Sequence, residues 1–291
     1  MSNSASALPA MDLRRFVQIA GRNKRLAIGL LVLAIIVLLA IFAPLIAPYS
    51  PIQQNLKLRL QAPSWGHLLG TDHLGRDTLS RLIYGLRPSL MSGVMAVSLA
   101  AVLGTLIGVT AGYAGGVFDA IVSRIFDLLV AWPAIFIAIG LILIVGPGPT
   151  SVVIAIALSE LPVFGRVVRA VTLSNLNATH VEVAKSMGAS GGRVIHRHIL
   201  PFTINPLIVQ FAISAPAAVV AEAALSYLGL GSQPPNPSLG MLVSDAQLYL
   251  SHSIYNAVFP IIAIACLVLA LTLIADGIQD VLDPRRRRIM R

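Results

Sequence analysis

Long apolar segments alternate with shorter polar stretches along most of this chain. Six apolar segments stand out, at about residues 26–47, 90–112, 125–145, 151–171, 204–228 and 257–275. Each has roughly the 20 residues that an α-helix needs to cross a hydrocarbon layer about 30 Å thick. Because backbone groups in lipid must satisfy their own hydrogen bonds, the pattern predicts an all-α membrane protein with six transmembrane helices.

The composition agrees with this pattern. Of 291 residues, 56% are hydrophobic and only 11% are charged, whereas a soluble domain is about 25% charged. The mean hydropathy is +0.84, which excludes a single soluble core. The one cysteine, Cys266, lies in an apolar segment, so no intramolecular disulfide is expected.

The net charge of +9 is better explained by membrane topology than by nucleic-acid binding, because the basic residues flank apolar segments. If the N-terminus is inside, all but five of the 21 Lys and Arg residues lie on the inner side. The five outer ones are Lys57, Arg59, Arg76, Arg81 and Arg87. Both termini are therefore expected in the cytoplasm.

The predicted organisation follows from these segments. It comprises a cytoplasmic N-terminal segment 1–25, a first transmembrane helix 26–48, an outer loop 49–87, a five-helix core 88–280 and a basic cytoplasmic tail 281–291. The first helix is longer than the apolar part of a cleaved signal, so a retained anchor is expected. The tail is expected to fix topology and to contact anionic lipid.

Two outer loops have distinct signals. The first ends in four apolar residues at helical spacing, which predicts a short interfacial helix before the second span. These residues are Leu79, Leu82, Ile83 and Leu86. The second, residues 229–256, contains Pro234, Pro235 and Pro237. It is expected to be a turn-bearing cap rather than a helix.

A polar, glycine-broken stretch, residues 172–202, interrupts the apolar pattern on the inner side. Thr179 and Glu182 have the spacing of a capping box, and Gly188 stands where such a short helix ends. Val183, Ala184 and Met187 form an apolar strip on this helix.

A second amphipathic piece follows in the same stretch, with Val194, Ile195 and Ile199 on one side, and Pro201 is expected to begin the next helix. The stretch is thus predicted to be a helix–turn–helix module. Its exposed apolar ridge either docks a partner protein or lies on lipid headgroups or neighbouring helices.

Candidate chemistry is sparse. No phosphate loop G-x-x-x-x-G-K-[ST] or zinc motif H-E-x-x-H occurs, so neither ATP binding nor an enzyme activity is expected in this chain. His196 and His198 fall on different helix faces with no third ligand nearby, so no metal is expected.

Glu160 and Glu222 lie inside apolar segments, where ionisable residues are costly and are candidates for the solute pathway. Structural alternatives exist for both. Glu160 can pair with Arg166 or with backbone freed by Pro162, and Glu222 can bond the loop that follows it near the outer interface.

The inner stretch resembles the Glu-Ala-Ala (EAA) motif of permease subunits in ATP-binding-cassette importers. The residues that match at the motif's spacing are Glu182, Ala184, Gly188, Leu200 and Pro201. Val183 and His198 depart from the generic motif. Three further segments resemble the dipeptide, oligopeptide and nickel branch of this family, and specifically its C-type permease: "HLLGTDHLGRDTLSRLIYGLRPSL" (67–90), "EAALSYLGLGSQPPNPSLGML" (222–242) and "GIQDVLDPRRR" (277–287).

The resemblance implies a type I importer permease fold with a cytoplasmic coupling helix, in a bacterial inner membrane. It implies as partners a second permease subunit, one or two ATPase subunits bound at the EAA loop, and an extracytoplasmic solute-binding protein. ATP and magnesium would be bound by the ATPase subunits, with no cofactor in this chain. A di- or oligopeptide is the expected solute, nickel and glutathione remain alternatives, and an ion-coupled secondary transporter is the rival from another class.

Overall fold

The computed structural model describes residues 23–282, and its helices follow the apolar segments. The α-helices are α1 Lys24–Ile41, α2 Ala43–Ile46, α3 Thr78–Ala114, α4 Gly116–Ala131, α5 Ala134–Val145, α6 Pro149–Leu176, α7 Thr179–Ser186, α8 Gly191–Val194, α9 Leu200–Tyr227, α10 Leu239–Gln247 and α11 Tyr255–Leu282. A 3-10 turn lies at Leu56–Leu58, and a π-helical turn, Ile195–Ile199, joins α8 to α9.

Five helices in the described range are long and apolar enough to cross a membrane: α1, α3, α6, the continuous helix Gly191–Tyr227, and α11. The third predicted segment, 125–145, is not one straight helix, because α4 and α5 meet at an angle of 96°. The break falls at Trp132 and Pro133, where proline has no N–H to donate and its ring displaces the preceding turn. Counting the bent pair as one span gives the predicted six.

The closest helix packing joins α3 to α6. Gly104, Gly108 and Gly112 recur every fourth residue along the face of α3 that meets α6. A Cβ added to Gly104 would lie 2.7 Å from the Cβ of Phe164, and one added to Gly112 would lie 3.0 Å from the Cβ of Thr172. Small residues at this spacing let two backbones approach each other, and α3 and α6 therefore form the centre of the bundle.

The remaining spans surround this pair. α9 contacts α3, α6 and α11, whereas α1 packs mainly on α11. Gly29 of α1 lies so close to α11 that an added Cβ would be 2.8 Å from the carbonyl oxygen of Ala270. The first span is thus attached at the edge of the bundle.

The predicted interfacial helix before the second span is wrong as a separate element. α3 starts at Thr78 and runs without a break to Ala114, and Ile83 and Leu86 are buried. Asp77 caps this start, since its carboxylate accepts a hydrogen bond from the Ser80 N–H at 2.8 Å. The apolar spacing marks the first turns of a long packed helix.

The cap predicted at 229–256 also contains a helix that the prolines concealed. The chain turns through the proline stretch, and α10 then begins after Ser238, whose hydroxyl accepts from the Met241 N–H at 3.4 Å. Gly240 lies directly against the carbonyl of Ala223 in α9. This segment therefore combines the predicted turns with a helix of nine residues that packs into the bundle.

Candidate functional site

Two polar regions lie at opposite ends of the bundle. The coupling loop, residues 172–202, is at the end where α3 and α6 finish. The far end holds the residues before α3 together with α10.

The first arm of the coupling loop, α7, ends in a tight glycine turn. Gly188 donates its N–H to the Lys185 carbonyl and Ala189 donates its N–H to the Ala184 carbonyl, both at 3.0 Å. Gly188 has φ of +79°, a conformation that glycine adopts without strain. This pair of bonds is the Schellman motif, and it confirms the helix end predicted at Gly188.

The beginning of α7 differs from the predicted capping box. The N-cap is Ala178, with no side-chain capping bond, and Thr179 is already helical. The Ala178 N–H donates to the Asn175 carbonyl at 3.1 Å, so a turn leads directly from α6 into α7 and moves the helix start one residue earlier. The Glu182 side chain is exposed in the first turn, where the helix dipole favours a negative charge.

One buried valine anchors α7 to the rest of the bundle. Val181 is buried in a cluster with Val109 of α3, Val168 of α6, and Val194 and Ile199 from the second arm. The spacing of apolar residues did not single out Val181, because the strip at 183, 184 and 187 dominates the pattern. The coupling loop is thus packed on the bundle through apolar side chains.

The remaining apolar residues of this arm form an exposed ridge. Val183 is 51% exposed and Met187 is 82% exposed, and residues four apart on a helix share a face. Glu182 and Lys185 beside them are also exposed. The helices between residues 23 and 282 leave the ridge uncovered, and an apolar patch rimmed by charge is suited to a protein partner.

The second arm is continuous with the next span. The Leu200 N–H donates to the Ile195 carbonyl, which widens the helix by one residue just before Pro201. A widened turn accommodates the proline ring and its missing donor without ending the helix. The second piece is amphipathic as predicted, with Val194 and Ile199 buried, but its separation from the next span is wrong, because Gly191–Tyr227 forms one helix of 37 residues.

The two arms meet at the end of α3 around Tyr113. A Cβ added to Gly191 would lie 3.0 Å from the Tyr113 hydroxyl, so a larger residue there would press against this ring. The Lys185 amine lies 5.6 Å from the centre of the same ring. Tyr113 therefore contacts the arms on both sides of the glycine turn.

His198, which departs from the generic motif, also links the arms. The Nε2 atom of His180 lies 3.4 Å from the His198 carbonyl oxygen, and the His180 ring stacks on Phe202 at 5.2 Å between centroids. The hydrogen-bond contact uses a backbone carbonyl and therefore does not require a histidine at position 198, whose ring lies 6.2 Å from that of His180 between centroids.

Glu160 joins two spans in the middle of the bundle. Its Oε2 accepts a hydrogen bond from the Ser214 hydroxyl at 2.6 Å, and Gln210 donates to the same hydroxyl oxygen at 3.1 Å. Glu160 is half-buried on α6, and its two partners lie on α9. The alternative pairing with Arg166 is wrong, because Arg166 bonds Asp127 at 2.8 Å.

Glu222 lies elsewhere along α9. It is 1% exposed, its Oε1 accepts from the Ser226 hydroxyl at 2.7 Å, and its Oε2 has no partner in the described range. Ser214 and Ser226, the two partner serines, are about 18 Å apart along α9. The structure therefore does not bring Glu160 and Glu222 into one site, and Glu222 is enclosed by this chain alone.

Two ion pairs connect α4, the first helix of the bent pair, to α6. The Nε and Nη2 atoms of Arg169 both donate to the carboxylate of Asp119. Arg166 bonds Asp127 as described above. Gly165 lies against the Phe126 ring between them. The bidentate pair is the stronger of the two by geometry, and together they fix α4 alongside α6.

The far end contains a buried ion-pair network that sequence reasoning missed. We call Asp72, Arg76, Arg81 and Asp245 the far-end cluster. Asp72 bonds the Arg76 Nε at 2.6 Å and also bonds Arg81, which is fully buried. Asp245 of α10 lies 3.4 Å from Arg81 and 3.7 Å from Arg76.

Neutral hydrogen bonds extend this network to α11. The Thr78 hydroxyl donates to the Asn256 side-chain oxygen, and the Asn256 amide donates to the Thr71 carbonyl, both at 2.9 Å. Segments from three distant parts of the chain are thereby joined. A small cavity of about 20 Å³ lies among them, and Arg81 Nε has no hydrogen-bond partner in the described range.

The charges of the far-end cluster affect the pKa values of the titratable groups in it and beside it. Burial works against the charged form of Asp72, but the Arg81 and Arg76 guanidiniums and their hydrogen bonds outweigh it and hold the pKa of Asp72 below its ordinary value. Burial lowers the pKa of His73, although Asp72 and Asp245 oppose that effect. The network is thus built for an ionised Asp72 and a neutral His73.

Helices of membrane length and the exposed apolar ridge of the coupling loop are features expected of a membrane protein that assembles with partners. A family model described as "binding-protein-dependent transport system inner membrane component" matches residues 104–288, and one described as "N-terminal TM domain of oligopeptide transport permease C" matches residues 13–63. This chain belongs to that family of inner membrane transport components. It is a multi-pass permease subunit of a binding-protein-dependent importer.

Curated relatives match almost the whole chain. The dipeptide transport system permease protein DppC of Alkalihalophilus pseudofirmus is 40% identical over 266 residues, covering 91% of this chain and 88% of that protein. The di/tripeptide permease protein DppC of Pseudomonas aeruginosa is 38% identical, covering 98% and 97%. The glutathione permease protein GsiD of Pectobacterium atrosepticum is 39% identical, covering 94% and 89%.

A solved structure confirms the fold. A chain of the inward-facing MetNI methionine ABC transporter matches with a TM-score of 0.57 and 18% identity, covering 69% of this chain and 96% of that chain. The predicted type I importer permease fold is confirmed.

Proposed function

We propose that this chain is the C-type permease of an ATP-driven importer of di- or oligopeptides. The observation that supports this most is the match to dipeptide and di/tripeptide permeases along nearly the full chain. The glutathione permease matches with similar identity, and glutathione is itself a small peptide. A peptide-sized solute is therefore common to these relatives.

In this proposal α7 is the coupling helix. A partner ATPase, which binds ATP and magnesium, contacts the exposed ridge of Val183 and Met187 together with Glu182. The turn at Gly188, closed on the Ala184 carbonyl, sets the angle between the arms, and Leu200 and Pro201 continue the second arm into α9. Movement of the ATPase is thereby transmitted to the spans.

The proposed topology has both termini in the cytoplasm, so that the coupling loop faces the ATPase subunits and the far end faces the solute-binding protein. The basic segments before residue 23 and after residue 282, on which this orientation partly depends, lie outside the described residues. A second permease subunit completes the translocation path.

Glu160 is the proposed pathway carboxylate. It lies between α6 and α9 and is only half-buried, so a small shift of either helix exposes it to the solute's amino group. Glu222, which is enclosed within this chain, is assigned to holding α9 and Ser226 against α10.

Reconstitution of the complete transporter tests the proposal. Uptake of a labelled dipeptide into proteoliposomes is expected to require ATP and the binding protein, and unlabelled peptides are expected to compete. Transport by this chain alone, driven by a proton or sodium gradient, would contradict the proposal and favour the secondary transporter. If glutathione or nickel competed and dipeptides did not, the proposed solute would be wrong and the competing compound would replace it.

Two matched variants test Glu160. In Glu160→Gln the new amide oxygen still accepts a hydrogen bond from Ser214, so the fold is retained while the charge is lost. We expect the KM for peptide uptake to rise. Glu222→Gln serves as the control and should leave that KM unchanged. Equal uptake by wild type and Glu160→Gln would show that Glu160 has only a structural function.

A further inference from the structure

The last turn of α3 carries a tyrosine that packs against both arms of the coupling loop. Tyr113 is half-buried on the apolar cluster that contains Val181 of the first arm and Val194 of the second. Within the described residues, α3 supplies only Val109 and Tyr113 to this cluster. Tyr113 is thus one of two side chains through which apolar packing joins α3 to the arms.

The first arm, α7, turns one side toward this tyrosine. Lys185 follows Val181 by four residues and therefore lies on the same side of the helix. Its amine is 5.6 Å from the centre of the Tyr113 ring, within the roughly 6 Å over which a cation is attracted to an aromatic face. Val183 and Met187, which form the exposed ridge, are each two residues from Lys185. They lie on the opposite side, because two residues turn an α-helix by about 200°.

The second arm meets the same ring through a glycine. A Cβ added to Gly191 would lie 3.0 Å from the Tyr113 hydroxyl oxygen and 3.1 Å from its Cε1. A Cβ added to Gly188 or to Gly192 would meet no atom within 4 Å. The turn between the arms therefore has open space beside Gly188, and it rests on Tyr113 at Gly191.

The helix that carries Tyr113 reaches the other end of the bundle. α3 is continuous from Thr78 to Ala114, and its first turns contain Arg81 of the far-end cluster. The backbone of the second arm continues into α9, whereas α3 meets the arms only through side chains. A displacement of the coupling loop can therefore act on α3 through the contacts of Tyr113.

We propose that Tyr113 is a positioning residue of the coupling loop, and that with Lys185 it transmits the loop's displacement to α3 while the second arm transmits it to α9. The proposal rests on the proposed function of α7 as the coupling helix. The aromatic ring, rather than the hydroxyl, is the required group, because the Lys185 amine approaches the ring.

Transport measured per ATP hydrolysed tests the function of the ring. The reconstituted complete transporter is compared with two variants of Tyr113. Tyr113→Phe keeps the ring and should keep the wild-type ratio of dipeptide taken up to ATP hydrolysed. Tyr113→Leu should lower that ratio while the assembled complex is recovered in normal amount. A wild-type ratio in Tyr113→Leu would overturn the proposal.

Variants of Lys185 test the cation, and they fold normally because this side chain is exposed. Lys185→Met should lower the ratio about two- to fivefold, the factor that corresponds to one exposed cation–π contact, and Lys185→Arg should retain it. In a Tyr113→Leu background, Lys185→Met should have no further effect, because the two residues act as one contact. An equal loss with and without the ring would assign Lys185 to direct contact with the ATPase and overturn its pairing with Tyr113.

A matched pair of glycine variants tests the second arm. Gly191→Ala places a methyl group against the Tyr113 ring and should lower the ratio, whereas Gly192→Ala points into open space and should not. Equal ratios in the two variants would show that this approach does not position the loop. Wild type is measured first: if it shows no ATP-dependent uptake, the proposed function itself fails, whereas normal wild-type uptake with unaffected variants overturns only the assignment of Tyr113.

Discussion

The coupling loop and the far-end cluster are attached to the same bundle by opposite means. The coupling loop keeps its polar side chains at the surface and packs through buried valines such as Val181. The far-end cluster buries most of its charge and is joined to α10 by Asp245, and neutral hydrogen bonds of Asn256 extend it to α11. Apolar contacts are non-directional and tolerate small shifts, whereas buried ion pairs require a fixed geometry. The far end is thus held in a fixed geometry, whereas the packing of the coupling loop tolerates the small displacements that the proposed function requires.

The largest effect is expected from Arg81→Met. Removing Arg81 leaves Asp72 with Arg76 as its one remaining cation and takes from Asp245 its nearer guanidinium, and breaking a buried pair costs up to about 3–5 kcal/mol. The purified complex should therefore lose thermal stability or fail to accumulate in the membrane. Arg166→Met is the matched control, because its pair with Asp127 is exposed and should cost at most about 1 kcal/mol. Equal melting temperatures for the two variants would show that the far-end cluster does not hold this end together.

The next effect is expected from Gly188→Leu. A side chain in the left-handed conformation costs about 1–2 kcal/mol, enough to change the turn between the arms while the spans still insert. Uptake per ATP hydrolysed should fall although the assembled complex is recovered in normal amount. Gly192→Leu is the control, since Gly192 lies next to open space and outside the left-handed region. Normal coupling in Gly188→Leu would contradict the proposed function of the turn.

Two valines on α7 distinguish packing of the coupling loop on the bundle from binding of a partner protein. Val181→Ala removes two buried methyl groups and should destabilise the coupling loop by about 1.5 kcal/mol. Hydrogen exchange of residues 179–199 should then become faster. Val183→Ala should leave exchange unchanged and weaken binding of the ATPase subunits instead. If both variants behaved alike, the division between a buried and an exposed face of α7 would be wrong.

The smallest effect concerns pH and is confined to the far end. Because the folded pKa of His73 lies below its unfolded value of about 6.5, the unfolded chain takes up the proton first and stability falls as pH decreases below that value. Asp72 acts in a lower window: its contribution is present above its unfolded pKa of about 3.9 and is lost as pH falls through its folded pKa.

Thermal unfolding between pH 7 and pH 5, where only the first of these windows is crossed, should show a modest loss of stability that His73→Gln removes. A loss of the same size in His73→Gln would assign the pH dependence to another group.

The helices can be predicted from the sequence because the length of an apolar segment and the spacing of its glycines are local properties of the chain. Gly104, Gly108 and Gly112 are visible as a pattern, and so is the left-handed end at Gly188. The bend at Trp132 is less visible, because the apolar pattern continues across it. The N-cap at Ala178 was missed because the turn out of α6, rather than a side chain, determines where α7 begins.

The far-end cluster could not be derived from local pattern. Arg76 and Arg81 were counted as topology charges, and their burial depends on Asp245, more than 160 residues away in the chain. The Asp72 to Arg76 spacing of four residues was the available signal for a local pair. Which carboxylate would neutralise the second arginine depends on how α10 packs, and that is a tertiary property.

The widened turn before Pro201 has a mechanical consequence. Since the helix does not end there, Gly191–Tyr227 is a single rod about 55 Å long that reaches from the glycine turn to the level of Glu222 and Ser226. Under the proposed function a displacement at the glycine turn is carried along this continuous backbone, with Pro206 and Pro216 as the positions where the helix can bend. The proposed ATPase contact at the glycine turn and the residues beside α10 therefore lie at the two ends of one continuous helix.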